Sequence, residues 1–360
     1  MNNLRMASVA DLDSFDEIID ARSPAEFLED HIPGAINLPV LDNDERIEVG
    51  TLYKQASSFA AKKIGAPLVW RNIAHHLETH FSDKPKHWHP LIYCWRGGSR
   101  SGSLAHVLQQ IGFNAQQLEG GYKAYRRAVL DDLAQLPLGF QFRVISGRTG
   151  SGKTRLLQSL ARLGGQVLDL EKLAAHRGSL LGALPDQAQP NQKKFESGIW
   201  HALHRFDTAR PVFVESESKR IGALSVPETL INRMRASPCV QLNVAHNLRV
   251  ALLLEEYAHF FDQPDLLKQQ LDCLVPLRGR ETVAAWHARI DAQDWPALFG
   301  DLLVQHYDPA YTRSLNANYA MDGAAPAYSV NDITHAGFDA LAARILDEHD
   351  IALPATAPSM

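Results

Sequence analysis

The sequence predicts an α/β protein of two parallel-sheet domains, the second carrying a helical C-terminal part. Three observations predict it. Short apolar runs alternate with helical periodicity through residues 1–136, the pattern of strand–helix–strand units. Gly147 to Thr154 reads G-x-x-x-x-G-K-T, with an apolar run before it and Leu156, Leu157 and Leu160 at helical spacing after it. From Arg249 onward the periodicity is helical, through Leu252 to Tyr257, Leu266 to Leu274, Arg280 to Arg289 and Trp295 to Tyr307. Pro137-Leu138-Gly139 marks the boundary. The domains are therefore expected at 1–136 and 137–350, with a frayed tail at 351–360.

Bulk properties narrow the function classes. A chain of 360 residues, 45% hydrophobic and 21% charged, can bury two or three cores. No apolar run approaches the ~20 residues of a membrane span. Met1 to Asp13 lacks the basic-then-apolar build of a signal peptide. Cys94, Cys239 and Cys273 are widely spaced and odd in number, which suits a reducing cytoplasm. The close histidine pairs His75–His76, His87–His89 and His201–His204 lack the cysteine or acid partners of a zinc site, so no metal centre is expected from them. With a net charge of −5, a nucleic-acid partner would need a local basic face.

In the first domain, Asp16 to Arg22 reads as a short strand. Ser23-Pro24-Ala25-Glu26-Phe27 starts a helix, with Ser23 as cap, Pro24 at the first position and Glu26 closing a capping box. His31 to Pro39 turns into another strand. Arg46 to Lys63 and Ile73 to Phe81 are helical, and Gln117 to Glu119 leads through Gly120-Gly121 into a helix ending at Leu133. Between them, Leu91-Ile92-Tyr93 runs into Cys94-Trp95-Arg96-Gly97-Gly98-Ser99-Arg100-Ser101. Leu104, Val107, Leu108 and Ile111 follow at helical spacing, and Gly112 stops the helix. Cys94 is thus expected at a strand tip facing a helix N-terminus. Backbone N–H groups, the helix dipole, Arg96 and Arg100 would there favour a thiolate and an anion. Ile18 to Arg22, Glu26-Phe27, His31 to Asn37 and the Cys94 loop together resemble a rhodanese domain. The resemblance implies a rhodanese-like fold in which Cys94 carries sulfur or selenium. Arg100 stands six positions after Cys94, one more than in the common sulfurtransferase loop. This longer loop resembles that of rhodanese-fold phosphatases.

The second domain reads as P-loop NTPase-like. Gly147, Gly150 and Gly152 let backbone N–H groups wrap a di- or triphosphate, together with Arg148, Thr149 and Ser151. Lys153 supplies charge, and Thr154 is placed to reach a magnesium ion. Val167 to Glu171 and Pro211 to Glu217 are strands ending in acids. Glu215 is the first candidate for a metal- or water-orienting acid and Asp169 the second; capping, or an ion pair with Lys219 or Arg220, is the competing role for Glu215. Gln192 to Phe206 is a helix and Val240 to Val244 a further strand. Basic residues concentrate in this domain at Arg143, Arg148, Arg155, Arg162, Lys193–Lys194, Lys219–Arg220, Arg233–Arg235 and Arg278–Arg280, as a phosphate-rich polymer would require.

The pairing of these domains, with Gly121-Tyr122-Lys123, His176-Arg177-Gly178-Ser179 and Glu215 to Gly222, resembles the bacterial tRNA 2-selenouridine synthase family. That resemblance implies replacement of sulfur by selenium in wobble 2-thiouridine of tRNA. It implies S-geranylation by geranyl diphosphate first and selenation from selenophosphate second. By it, Cys94 carries a perselenide, Arg96 and Arg100 hold selenophosphate, and the phosphate loop holds the diphosphate or a tRNA phosphate. No tightly bound cofactor and a cytoplasmic monomer are expected. Two other classes stay open: a phosphatase or arsenate-reductase-like enzyme using the Cys94 loop, and a nucleotide-dependent kinase or switch using the phosphate loop.

Overall fold

The computed structural model describes residues 4–185, 187–318 and 326–349. The tail expected at 351–360 lies outside them. The chain divides into two compact units, Met1–Asp132 with Asn191–His201, and Leu133–Pro190 with Ala202–Met360.

The first unit is built on five parallel strands: β1 (Met6–Ala7), β2 (Glu17–Asp20), β3 (Ile36–Asn37), β4 (Pro90–Tyr93) and β5 (Gln116–Leu118), in the order β1-β5-β4-β2-β3. All four residues of β4 are buried, as a central parallel strand covered on both faces requires. Ile19, Ile92, Leu104, Leu108, Phe81 and Trp88 fill the core. The helix Pro24–Glu29 has the capping box its sequence predicts, and Gly112 ends the helix Ser99–Ile111 in the left-handed region at φ 112°. Residues 191–201 cluster here because the helix Gln192–His204 is anchored by polar contacts. Ser197 Oγ donates to Asp30 at 3.0 Å and Trp200 Nε1 to Asp132 at 2.7 Å, and Arg126 pairs with Glu196. Sequence periodicity finds that helix but not its company.

The second unit carries β6 (Phe142–Gly147), β7 (Gln166–Leu168), β8 (Val212–Glu215), a small hairpin of β9 (Arg220–Ile221) and β10 (Leu224–Ser225), then β11 (Cys239–Val244) and β12 (Ala327–Val330). The main sheet is parallel, in the order β12-β11-β6-β8-β7. β6 is central, and the chain leaves it toward β7 and β8 on one side and later toward β11 and β12 on the other. Its C-terminal end is therefore the topological switch point, where ligands of open α/β sheets bind. The expected helical part is present as His246–Glu256, Pro264–Asp272, Arg280–Asp291 and Trp295–Leu302, with a core of its own around Trp286, Phe299, Leu302 and Leu271. Among the described residues no helix is long and apolar enough to cross a membrane.

Candidate functional site

Two clusters of chemically capable residues stand one in each unit. In the first, Cys94 follows β4 directly and is 3% exposed. Its sulfur accepts a hydrogen bond from Ser101 Oγ at 3.0 Å, and Gln117 Nε2 donates to that same hydroxyl at 2.8 Å and to the Gly98 carbonyl at 3.1 Å. Gln117 thereby turns the hydroxyl proton of Ser101 toward sulfur. The loop is braced from the Gly120-Gly121-Tyr122 turn: Tyr122 N–H donates to the Cys94 carbonyl at 2.8 Å and Lys123 N–H to that of Trp95 at 3.0 Å. Gly121 has φ 58°, and a Cβ there would stand 2.2 Å from the Cys94 carbonyl oxygen, so no larger residue fits. Below, Arg22 is fully buried, pairs with Asp20 at 2.6 Å and lies 4.0 Å over the Tyr122 ring. Tyr122 in turn donates to Asp30 at 2.7 Å. This buried network holds the platform on which the cysteine loop rests.

The two loop arginines differ. Arg96 is exposed beside Cys94. Arg100 is held by Glu26, with Nη1 at 2.6 Å from Oε2. Burial alone would raise the Glu26 carboxyl, but the Arg100 guanidinium and Ser23 outweigh it and the pKa falls. Glu26 thus serves two purposes, capping box and arginine partner, of which sequence spacing revealed the first.

In the second unit the phosphate loop joins β6 to the helix Lys153–Arg162. Gly150 and Gly152 have φ of 76° and 74°, and a Cβ on Gly152 would drive into the Phe338 ring at 2.2 Å. Lys153 Nζ donates to the Gly147 carbonyl at 2.9 Å, and Gly147 N–H donates to Tyr311 Oη at 2.7 Å. Arg249, 3% exposed, donates to the Thr149 carbonyl at 2.9 Å and grips Asp308 through both terminal nitrogens at 3.0 and 2.6 Å. Arg148 approaches the same carboxylate at 3.6 Å.

A cleft of about 380 Å³ opens over the loop, lined by Lys153, Thr154, Glu171, Arg177, Glu217 and Glu256 among others. Thr154 Oγ1 donates to Glu171 Oε2 at 3.0 Å, and Glu171 N–H donates to Glu215 Oε1 at 2.9 Å. Glu215 is 2% exposed, its Oε2 has no hydrogen-bond partner, and among the described residues no ion pair joins it to Lys219 or Arg220. Asp169 caps the helix Leu170–Ala174 by accepting from Lys172 N–H at 2.8 Å. Four acids so close in a dry place repel. Burial, then the neighbouring Glu171 and Asp169 carboxylates, pushes Glu215 well up. Burial and Glu171 push Glu217 up to about 8, with Lys153 opposing. Glu171 and Asp169 are raised mainly by burial. Gly178, at φ 66°, has no room for a Cβ beside the Glu217 carboxylate, which explains the glycine in His176-Arg177-Gly178-Ser179. Glu171, Glu217, Arg177, Glu256, Tyr311 and Arg249 are the lining or supporting residues that sequence reading did not single out for the site. Glu171 and Glu217 had a visible signal, a second acid one strand-turn beyond each candidate.

The raised acids make stability depend on pH in a defined direction. Between about 4.5 and about 8 the folded chain keeps a proton on Glu217 that the unfolded chain has lost. Stability contributed this way is therefore lost as pH rises through that window. Thermal melts across it are expected to fall less steeply for Glu217→Gln than for the parent chain. A parallel pair of curves would rule out the raised carboxyl.

Comparison with known proteins follows the same division. The rhodanese-like domain family matches residues 6–128, and the tRNA 2-selenouridine synthase AAA domain family matches residues 140–272. The chain is 36% identical over 245 residues to the tRNA 2-selenouridine synthase of Nitrosomonas europaea, covering 67% of this chain and 63% of that one. It is 38% identical over 244 residues to the protein of the same name in Marinobacter nauticus, covering 67% and 65%. These two matches span just under two thirds of the relatives' length. With the tRNA 2-selenouridine synthase of Alcanivorax borkumensis the match is longer, 35% over 331 residues, covering 83% of this chain and 89% of that one. Both domains in their order, and an alignment running through nearly the whole of that relative, mean that the chain belongs to the tRNA 2-selenouridine synthase family.

Proposed function

We propose that this chain replaces the sulfur of wobble 2-thiouridine in tRNA with selenium, in two steps divided between its units. The observation that carries the reading is the joint presence of a shielded, hydroxyl-solvated cysteine and a complete phosphate loop in a chain 35% identical over 331 residues to a tRNA 2-selenouridine synthase. In the first step the thiocarbonyl sulfur attacks the first carbon of geranyl diphosphate. The carbon–oxygen bond breaks, the carbon–sulfur bond forms, the base gives up its N3 proton to solvent, and diphosphate leaves onto the phosphate loop and Lys153. Sulfur becomes a thioether, which departs far more readily than sulfide. In the second step selenide from selenophosphate, whose phosphoryl group passes to water, displaces a small thiol from a mixed disulfide on Cys94 to give the perselenide. Its outer selenium bonds to the base carbon as geranylthiol leaves, and the small thiol then cleaves the selenium–sulfur bond and restores the mixed disulfide. Arg96 is the exposed cation nearest in sequence to Cys94 for the incoming selenophosphate.

Thr154 and Glu171 present oxygen donors beside the loop and suit magnesium, which binds through one or two protein oxygens plus substrate phosphates. Bound there, the ion would neutralise charge on the diphosphate. The expected phosphatase alternative is disfavoured by Arg100, whose guanidinium is committed to Glu26 instead of to an anion held by Cys94.

The direct test is mass spectrometry of thiolated tRNA incubated with the protein, geranyl diphosphate and selenophosphate. Selenium replaces sulfur, and a geranylated product accumulates when selenophosphate is left out. Unchanged tRNA would overturn the reading.

Binding of tRNA is expected to be electrostatic. Several basic residues are already neutralised: Arg155 by Glu255, Arg162 by Asp339, and Lys193 by Glu29 within the first unit. Exposed Arg148, Lys219 and Arg220 remain the stronger candidates in the second unit. The logarithm of affinity should fall linearly with that of salt, by roughly 0.7 to 0.9 per phosphate contacted. Filter binding at increasing salt checks this, and a flat line would contradict it.

A further inference from the structure

We propose that the uncovered polar face of β11 and β12 is a nucleobase-binding site, holding a pyrimidine nucleotide of bound RNA beside the phosphate loop. Parallel sheets are normally apolar and covered on both faces. Here the rule holds on one face only. β11 and β12 pair in parallel, with Gln241 opposite Ala327 and Asn243 opposite Ser329. Leu242, Tyr328 and Val330 point into a core shared with the helices Lys153–Arg162 and His335–His349. The alternate positions, Gln241, Asn243 and Ser329, with Asn331 two residues on, are half-buried or exposed. They line a cavity of about 580 Å³ together with the loop residues Gly147, Arg148 and Ser151.

Three properties of this cavity point to a nucleobase. Its size suits one small ligand, within the ~300–1,000 Å³ of such sites. Among the described residues its lining holds two arginines and no carboxylate. Arg249 is spent on Asp308 and the Thr149 carbonyl, while Arg148 is 60% exposed and only loosely paired at 3.6 Å. Beside the apolar Leu242, Val244 and Ala245, the other polar side chains of the lining are carboxamides and hydroxyls, which carry both donors and acceptors. A prenyl chain gains nothing from amides, and an isolated phosphate would use Arg148 but leave them idle. The edge of a uracil ring alternates carbonyl, N–H and carbonyl, the last a thiocarbonyl in 2-thiouridine, and so offers acceptors and a donor to groups of both kinds. A second observation agrees: Ser151 Oγ, in a residue 2% exposed, lines this cavity and has no hydrogen-bond partner. Ser151 also lines the cleft over Lys153, so a base in one would sit next to a diphosphate in the other. The inference rests on the function proposed above and names the part of the tRNA this face would take. The same chemistry could come from a free mononucleotide, and the test separates the two.

The experiment uses the full chain with Asn243→Ala and Asn331→Ala, both at exposed positions at the sheet end. Fluorescence anisotropy follows an anticodon stem-loop RNA with 2-thiouridine at the wobble position, and the same RNA abasic there. An amide–base pair of this kind is worth about tenfold or more in affinity. The parent chain should bind the abasic RNA about tenfold more weakly than the thiolated one. Each variant should lose about tenfold on the thiolated RNA and nothing further on the abasic RNA, with melting temperature unchanged. Equal loss on both RNAs, or no loss on either, overturns the proposal. So does uridine monophosphate binding that the variants lose while their affinity for RNA stays intact. Failure of the parent chain to exchange sulfur for selenium, with base-dependent binding retained, would refute the proposed function and leave this site standing. Exchange by a parent chain whose variants bind normally would do the reverse.

Discussion

Replacing Cys94 by serine is expected to abolish selenium transfer while leaving a folded chain that still alkylates 2-thiouridine. The substitution exchanges sulfur for oxygen in a buried position that already receives the Ser101 hydroxyl and is braced through its carbonyl by Tyr122 N–H. Backbone contacts are untouched, and the stability cost is about 1 kcal/mol, that of a modest change in buried hydrogen bonding. Chemistry is affected without such compensation. A serine oxygen is far less nucleophilic than a thiolate near neutral pH and forms no stable bond to selenium. Selenouridine should fall below detection by mass spectrometry. The geranylated product should form at the parent rate, because Cys94 and Lys153 belong to different compact units. Substantial selenouridine from the serine variant would remove the perselenide from the mechanism. Loss of both products would show that the two units do not work separately.

The second large effect is expected from Lys153→Ala, which should slow alkylation by two to three decades. Negative charge grows on the departing diphosphate as its bond to the prenyl carbon breaks. A cation at the loop is therefore worth more in the transition state than in the ground state. Losing one such contact costs about 3–4 kcal/mol. The lysine is already aimed along the loop, with its ammonium 2.9 Å from the Gly147 carbonyl, so little reorganisation precedes the reaction. Its removal should leave the backbone in place, since the Arg249 hydrogen bond to Thr149 and the φ of Gly150 and Gly152 do not depend on it. Single-turnover rates with geranyl diphosphate measure the loss. tRNA that already carries the geranyl group should be selenated normally by the variant. Failure on that substrate with normal tRNA binding would mean that the phosphate loop serves both steps.

Much of the site is written in short stretches of sequence. The phosphate loop, its preceding strand and its following helix lie within about 20 residues, and the demands that make them legible are local: left-handed glycines, an unblocked helix N-terminus, one lysine. The same holds for the Cys94 loop between a buried strand and a helix stopped by Gly112. The four-residue strand Ala327–Val330 is different. Its alternation is too brief to announce a sheet partner, and β11 lies more than 80 residues earlier, so the open polar face they share was invisible.

What the sequence by itself determined, then, was the set of local elements and the chemistry each could bring, because capping, turn conformation and apolar period act over a few residues. What only the tertiary structure decided was which charges meet. Arg100 meets Glu26 across 74 residues, and Arg249 meets Asp308 across 59. Thr154 meets Glu171, and Glu171 meets Glu215 across 44 residues, so that Glu215 supports another acid from behind and does not itself hold Thr154. These pairings depend on strand order and register, which place side chains by their height on a shared sheet and not by their distance along the chain.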